Sequence, residues 1–295
     1  MLELKIHSPV EEIFDPLFDE KQVRLFVKRD DMIHPFISGN KWRKLKYALQ
    51  AARNENKSRL ITFGGAYSNH LVATACAGAK FGFQTTGIVR GEPVNNPSLM
   101  LCKLFGMNLQ FVSREAYKDK GKLSEEYGKS QEDAYFIPEG GAGEAAVRGC
   151  SELVEELPET YQHIFCAAGT GTTAAGILAG LKQRQLSSQL HVVPVLKNGG
   201  FLEAEIAKLV ASETQQLQLH LDYHFGGYAK TTEQLLTFIK EFASKTGILL
   251  DQVYTGKMLF AIYDLVNQDH FAPGTKILAI HTGGLMGLLS QAEKI

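Results

Sequence analysis

Cysteine is scarce: four in 295 residues, at 76, 102, 150 and 166, with no C-x-x-C pair, which excludes a disulfide framework and a zinc knuckle and reads as reduced core thiols of a cytoplasmic protein. Excess charge is also missing. Lys and Arg total 31 against 32 Asp and Glu, net −1, so nothing electrostatic calls for a nucleic-acid or anionic-membrane partner. Long apolar runs are absent too, because the longest uncharged stretch, His163 to Leu181, is broken by four Gly and three Thr and reads as strand, loop and helix. The opening MLELKIHSPVEEIFDP carries acids where a secretory signal needs an apolar centre, and reads as mature protein. No repeat or low-complexity tract occurs, and 44% hydrophobic against 21% charged residues is an ordinary globular balance. A small-molecule site is the default.

What is present is an alternation of short β-branched or aromatic runs with longer helical patterns, the signature of βαβ units and a covered parallel sheet, hence an α/β fold. Strands are predicted at 23–29, 59–65, 84–90, 108–113, 134–140, 163–169, 190–196, 219–225 and 276–284. Helices are predicted at 41–55, 69–80, 97–105, 144–156, 173–186, 200–211, 231–246 and 256–267. No Pro/Gly/Ser-rich linker divides the chain, so two domains would be crossed more than once. Their cleft would be lined from distant segments, beyond the carboxyl ends of strands.

Three segments carry candidate chemistry. CAAGTGTTAAG, 166–176, follows an apolar strand and opens an Ala-rich helix, so the first-turn N–H groups and the hydroxyls of Thr170, Thr172 and Thr173 can ring a phosphate. It also matches the dinucleotide pattern at Gly169, Gly171 and Ala174, yet no Asp or Glu follows from 174 to 202 to bind a ribose. SGNKWRKLKYAL, 38–49, places Lys41 in a first helical turn, against the helix dipole. Spacing alone favours a solvated basic face with Arg43, Lys44 and Lys46, and the other reading is an amine kept neutral and reactive. TFGGAYSNHLVATA, 62–75, turns from strand to helix at Ser68, Asn69 and His70 and suits a carboxylate, with a simple helix cap as the plain reading. Ser68 as an elbow nucleophile lacks the Gly that G-x-S-x-G requires. Tyr228, Tyr254 and Thr282 adjoin Gly-containing turns, and His220 and His224 sit four apart in a predicted strand, a poor arrangement for a metal.

In combination, a phosphate loop, a candidate reactive Lys and a carboxylate corner fit an amino-acid enzyme that uses pyridoxal 5'-phosphate. The ordered motifs KRDD…GNKWRKL, FGGAYSNH, AAGTGTTAAG, GGYAK, DQVYTGK and HTGG resemble the D-cysteine desulfhydrase and 1-aminocyclopropane-1-carboxylate (ACC) deaminase family of fold-type-II enzymes, from about residue 8 to 288. The resemblance implies two open, twisted, mostly parallel sheets flanked by helices. It implies a large domain of residues 1–43 and 150–295, a small one of 44–149, and an active site between them. Lys41 becomes the Schiff-base lysine, while Lys44 and Gly169 to Thr173 hold the phosphate. Asn69 lies by the cofactor ring, Ser68 and His70 near the substrate carboxylate, Tyr254 on the ring and Tyr228 facing substrate.

The resemblance also implies a homodimer. Thr255, expected at the substrate, and Thr282, expected at the cofactor ring nitrogen, follow the desulfhydrase pattern, where ACC deaminases carry Glu and Leu. The expected reaction is α,β-elimination on D-cysteine, with ACC deamination as the alternative. A nicotinamide-dependent oxidoreductase or a non-catalytic amino-acid binding module are the readings from other classes.

Overall fold

A computed structural model describes residues 2–129, 132–210 and 215–291. Its strands are β1 (Val10–Ile13), β2 (Arg24–Lys28), β3 (Arg59–Gly65), β4 (Gln84–Arg90), β5 (Asn108–Val112), β6 (Ala134–Ile137), β7 (His163–Ala168), β8 (Gln189–Pro194), β9 (Leu217–Leu219) and β10 (Lys276–Ile280). Its helices are α1 (Pro16–Glu20), α2 (Asn40–Asn54), α3 (Asn69–Phe81), α4 (Pro97–Leu104), α5 (Lys120–Lys129), α6 (Glu144–Glu155), α7 (Thr172–Gln183), α8 (Leu202–Val210), α9 (Glu233–Thr246) and α10 (Thr255–Asn267). Two sheets result, ordered β1-β2-β10-β7-β8-β9 and β5-β4-β3-β6. Among the described strands every pairing is parallel except β1 with β2, so the expected pair of mostly parallel sheets is present.

Parallel strands need cover on both faces, and the apolar runs supply it. On the large sheet, Phe165, Val193, Ile277 and Ala279 face a core shared with α9 and α10, while Ile164, Cys166, Val192 and Leu278 face the core beneath α6 and α7. The small sheet is covered by α2 and α3, where Trp42, Leu45, Leu49, Ala73 and Ala77 pack with Leu60 and Ile137. Each such fully buried Leu or Ile contributes about 1.5–3 kcal/mol of transfer free energy. All four cysteines are free and buried, and no described helix is long and apolar enough to cross a membrane.

The structure departs from the sequence expectations in definite places. The predicted strand at 219–225 exists only as β9, and residues 221–224 form a short 3-10 turn. The cause is Lys257, whose buried Nζ donates to the carbonyls of His224 and Gly227 at 2.8 Å each and draws that backbone away from the sheet. Strand β1 escaped prediction because VEEI is a half-charged edge, and α5 because KGKLSEEYGK has little apolar periodicity. The strand predicted at 276–284 stops at Ile280, freeing Thr282 to Gly284 for the site.

Candidate active site

A cavity of about 670 Å³ lies between the sheets, lined from residues 35–44, 65–72, 139–140, 167–174, 228–229, 251–254 and 282–287. Most of these segments follow the carboxyl ends of β3, β6, β7 and β10, where a parallel sheet leaves its loops free.

Lys41 enters because the start of α2 is pressed against the loop after β10. Gly39, with φ +59°, makes the approach possible, since a Cβ there would stand 1.9 Å from the Thr282 carbonyl oxygen. The Asn40 amide donates to that carbonyl at 3.3 Å, and the Asn40 side chain donates to Thr173 Oγ1 at 3.1 Å. Asn40 thus ties the lysine helix to the start of α7 rather than capping its own helix, whose N-cap position is Gly39. The expected solvated basic face is overturned: Arg43 is 1% and Lys44 5% exposed. Burial, then the neighbouring Lys44 charge, pushes the Lys41 amine down to about 7, and burial lowers Lys44 as well. No carboxylate is among the groups acting on either amine; the acidic groups that do act are the buried thiols of Cys150, on both, and Cys166, on Lys44.

Helix α7 begins at Gly171 with no side-chain cap, although Thr170 and Thr172 hydroxyls lie 3.2 Å apart beside it. An uncapped helix start with two amines in the same cavity is a donor set for a phosphate monoester. Opposite it, Ser68 caps α3 by accepting from the Leu71 amide at 3.3 Å, so the plain cap reading holds while the residue also lines the cavity. Asn69 and His70 follow. His70 Nε2 lies 2.8 Å from Thr62 Oγ1, and its buried Nδ1 has no partner. Burial and the charges of Lys41 and Lys44 hold this imidazole well below its usual range. Gly141, at φ +71°, makes room for the crowding, because a Cβ would meet Lys44 Cβ at 3.1 Å and His70 Cε1 at 3.3 Å.

Tyr254 and Tyr228 meet edge to face, centroids 6.2 Å apart, and burial raises the Tyr254 hydroxyl well above its ordinary value, so it stays protonated. Gly169 to Thr173, Tyr228, Tyr254 and Thr282 all line the cavity. Thr255 does not. It is fully buried, and its amide and hydroxyl bind Asp251 Oδ1 at 2.9 and 2.8 Å, which corrects its expected role in substrate binding. Asp251 itself lines the cavity, yet its other oxygen accepts from the Val253 and Tyr254 amides, so the carboxylate is committed to the start of α10. Sequence reasoning missed Asn40, Arg90, Glu139 and Gln252 on the walls. Arg90 and Glu139 could have been found from their places at the ends of β4 and just past β6.

The family description "Pyridoxal-phosphate dependent enzyme" matches residues 9–283. This chain belongs to that family. Among its relatives is the Arabidopsis thaliana mitochondrial bifunctional D-cysteine desulfhydrase/1-aminocyclopropane-1-carboxylate deaminase, 32% identical over 302 residues that cover 92% of this chain and 75% of that one. A solved ACC deaminase homologue superposes with a TM-score of 0.85 at 29% identity, covering 99% of this chain and 93% of its own. The L-serine ammonia-lyase of Rhizomucor miehei shares the fold, with a TM-score of 0.72 at 16% identity over 99% of both chains. Pyridoxal phosphate is therefore the cofactor. The unpaired amines and the uncapped helix start of this pyridoxal-phosphate enzyme fit such a group. The dinucleotide reading of the glycine loop gives way to it.

Proposed function

We propose that the protein carries out α,β-elimination on D-cysteine, in which cysteine and water give pyruvate, ammonia and hydrogen sulfide. In this reading Lys41 carries the cofactor, while Lys44 and the loop Gly169 to Thr173 hold its phosphate. Bound pyridoxal phosphate supplies an electron sink for charge developing at the substrate α-carbon. The freed Lys41 Nζ, with an ordinary value brought down to about 7, is neutral in good part near neutral pH and takes the α-proton. Ser68 and Asn69, at the start of α3, receive the substrate carboxylate. Tyr254 packs on the ring and Tyr228 faces the substrate from a half-exposed position, 52% open. The division into a large domain (1–43 and 150–295) and a small one (44–149), and a homodimer, belong to the same reading.

The observation that carries the choice of substrate is Thr282, a neutral hydroxyl on the cavity wall whose carbonyl is bound to the start of the lysine helix. Without a free carboxylate to keep the ring nitrogen protonated, the wall suits a good leaving group such as sulfide better than a cyclopropane carbon. ACC deamination to 2-oxobutyrate and ammonia is the second reading, favoured by the bifunctional relative and by the solved ACC deaminase homologue. Incubation with D-cysteine, L-cysteine and ACC, following 2-oxo acid release, tests the choice. Pyruvate from D-cysteine with no 2-oxobutyrate from ACC is expected, and the reverse result would assign the protein to ACC.

A further inference from the structure

Thr62 sits in the middle of β3, fully buried, and does not line the cavity. Its hydroxyl lies 2.8 Å from two heavy atoms, the Ile137 carbonyl oxygen on β6 and His70 Nε2 on α3. A hydroxyl has one proton, and a carbonyl oxygen can only accept. Were the proton turned to the imidazole, two bare oxygens would face each other at 2.8 Å inside the protein. The proton therefore goes to Ile137, and Thr62 Oγ1 accepts from His70. That makes Nε2 the protonated ring nitrogen and leaves Nδ1 a lone pair.

The free nitrogen points toward occupied space of definite chemistry. A Cβ on Gly141 would lie 3.6 Å from His70 Nδ1 and 3.1 Å from Lys44 Cβ, so ring and lysine stem share one corner. Nδ1 is buried and has no partner. Of the charges acting on the ring, Lys41 and then Lys44 are the ones that matter, and with burial they oppose a second proton. A neutral ring with a lone pair at Nδ1 repels a carboxylate and attracts an N–H.

We propose that Thr62 is a positioning residue that fixes His70 in the Nε2-protonated form, so that Nδ1 recognises an amine or ammonium, that of Lys41 or of an incoming amino acid, rather than a carboxylate. The carboxylate is then left to Ser68, Asn69 and the N–H groups opening α3. The protonation pattern follows from the hydrogen bonds alone, whereas the incoming amino acid rests on the function proposed above.

Proton-nitrogen correlation spectra of the holoenzyme labelled with 15N-histidine test this directly, with the His70 signals identified by their loss in His70→Asn. The expected result is a neutral ring protonated on Nε2 in the wild type and in Thr62→Ser, and a Nδ1-protonated population in Thr62→Val. On whichever amino acid is turned over, Thr62→Val should lower kcat/KM by roughly ten- to a hundredfold, a usual cost of losing the partner that orients a working histidine, with Thr62→Ser restoring most of it. A wild-type ring protonated on Nδ1, or on both nitrogens, overturns the proposal even if Thr62→Val fails to fold. So does a Thr62→Val enzyme whose spectrum and kcat/KM match the wild type. A wrong substrate assignment leaves the spectra as expected, so the two readings fail separately.

Discussion

Helix α2 carries buried charges of two kinds within one turn, and their surroundings differ completely. Arg43 is held by Asp30 at 2.6 and 2.7 Å and by Glu156 at 2.9 and 2.8 Å, and Lys28 adds a further contact to Glu156 at 2.9 Å. Two cations and two carboxylates close on themselves, with Ser8 donating to Asp30 at 2.6 Å. Lys41 and Lys44, on the cavity side, have no carboxylate acting on them. A buried charge that is paired holds the chain in place, and one that is unpaired loses its proton readily or waits for an anion. The paired set anchors the 30–39 loop, also through the Gly39 amide on the Asp30 carbonyl at 3.0 Å, and thereby aims the unpaired set.

The largest break in that contrast is Lys41→Ala. Turnover should fall by at least about 10²- to 10⁴-fold, as expected for losing the proton-transferring group, with loss of the protein-linked cofactor absorbance. Melting should not occur earlier in the apoprotein, because an unpaired buried amine is removed. An amine lowered from 10.5 to about 7 contributes stability at high pH that is lost as pH falls toward 7, and the Ala variant should lack that slope. An unaltered absorbance band in Lys41→Ala would remove the lysine from its assigned role.

Next in size is Arg43→Met, which strands the Asp30 carboxylate, leaves Glu156 to Lys28 alone, and should cost about 3–5 kcal/mol in urea unfolding. Adding Asp30→Leu leaves Lys28 and Glu156 as a neutral pair, and the double variant should recover part of that loss. A double variant weaker than the single would mean that Asp30 acts through the loop and not through Arg43.

A third test uses the far end of the large sheet. His163 on β7, His191 on β8 and His220 just past β9 form a ladder, with N···N distances of 2.7 and 2.8 Å and Phe165 stacked on His191. Burial pushes His191 down to about 2 and His220 to about 4. Below pH 6.5 the unfolded chain takes up protons that these rings refuse, so stability is full above that pH and declines as pH falls. The slope is about 1.4 kcal/mol per pH unit for each ring, ending near 4 for His220 and near 2 for His191. Urea midpoints between pH 7 and 5 should show it, and His191→Phe should flatten it. Here the groups are buried as bases and satisfy one another, whereas the cavity amines await a ligand.

The smallest effect is expected from Thr255→Val, which takes a hydroxyl donor from the Asp251 carboxylate and an acceptor from the Asp251 amide and should cost about 1–3 kcal/mol of stability with little change in KM. A large KM change there, at unchanged stability, would return Thr255 to the substrate.

Much of this was legible in the chain. AAGTGTTAAG announced a glycine and threonine turn at a helix start and YSNH the cap at Ser68, because such signals depend on neighbours within one turn, whereas in NKWRKL only the family resemblance singled out Lys41. The burial of Lys44 was not legible, since a basic run on a helix looks solvated until another element covers it. The 219–225 strand failed for the same reason, as the His224 carbonyl answers to Lys257, 33 positions away.

By itself the sequence determined the α/β alternation, the glycine and threonine loop, the lysine at the head of α2 and the family order of motifs. Only the tertiary structure decided which charges are paired, which amines are buried, and which nitrogen of His70 carries its proton. Those properties come from contacts such as Arg43 with Glu156 and Asn40 with Thr173, 113 and 133 positions apart, which no local pattern encodes. Electrostatics inside a protein depends on what lies within a few ångströms, and that neighbourhood exists only once the two sheets have closed on the cavity.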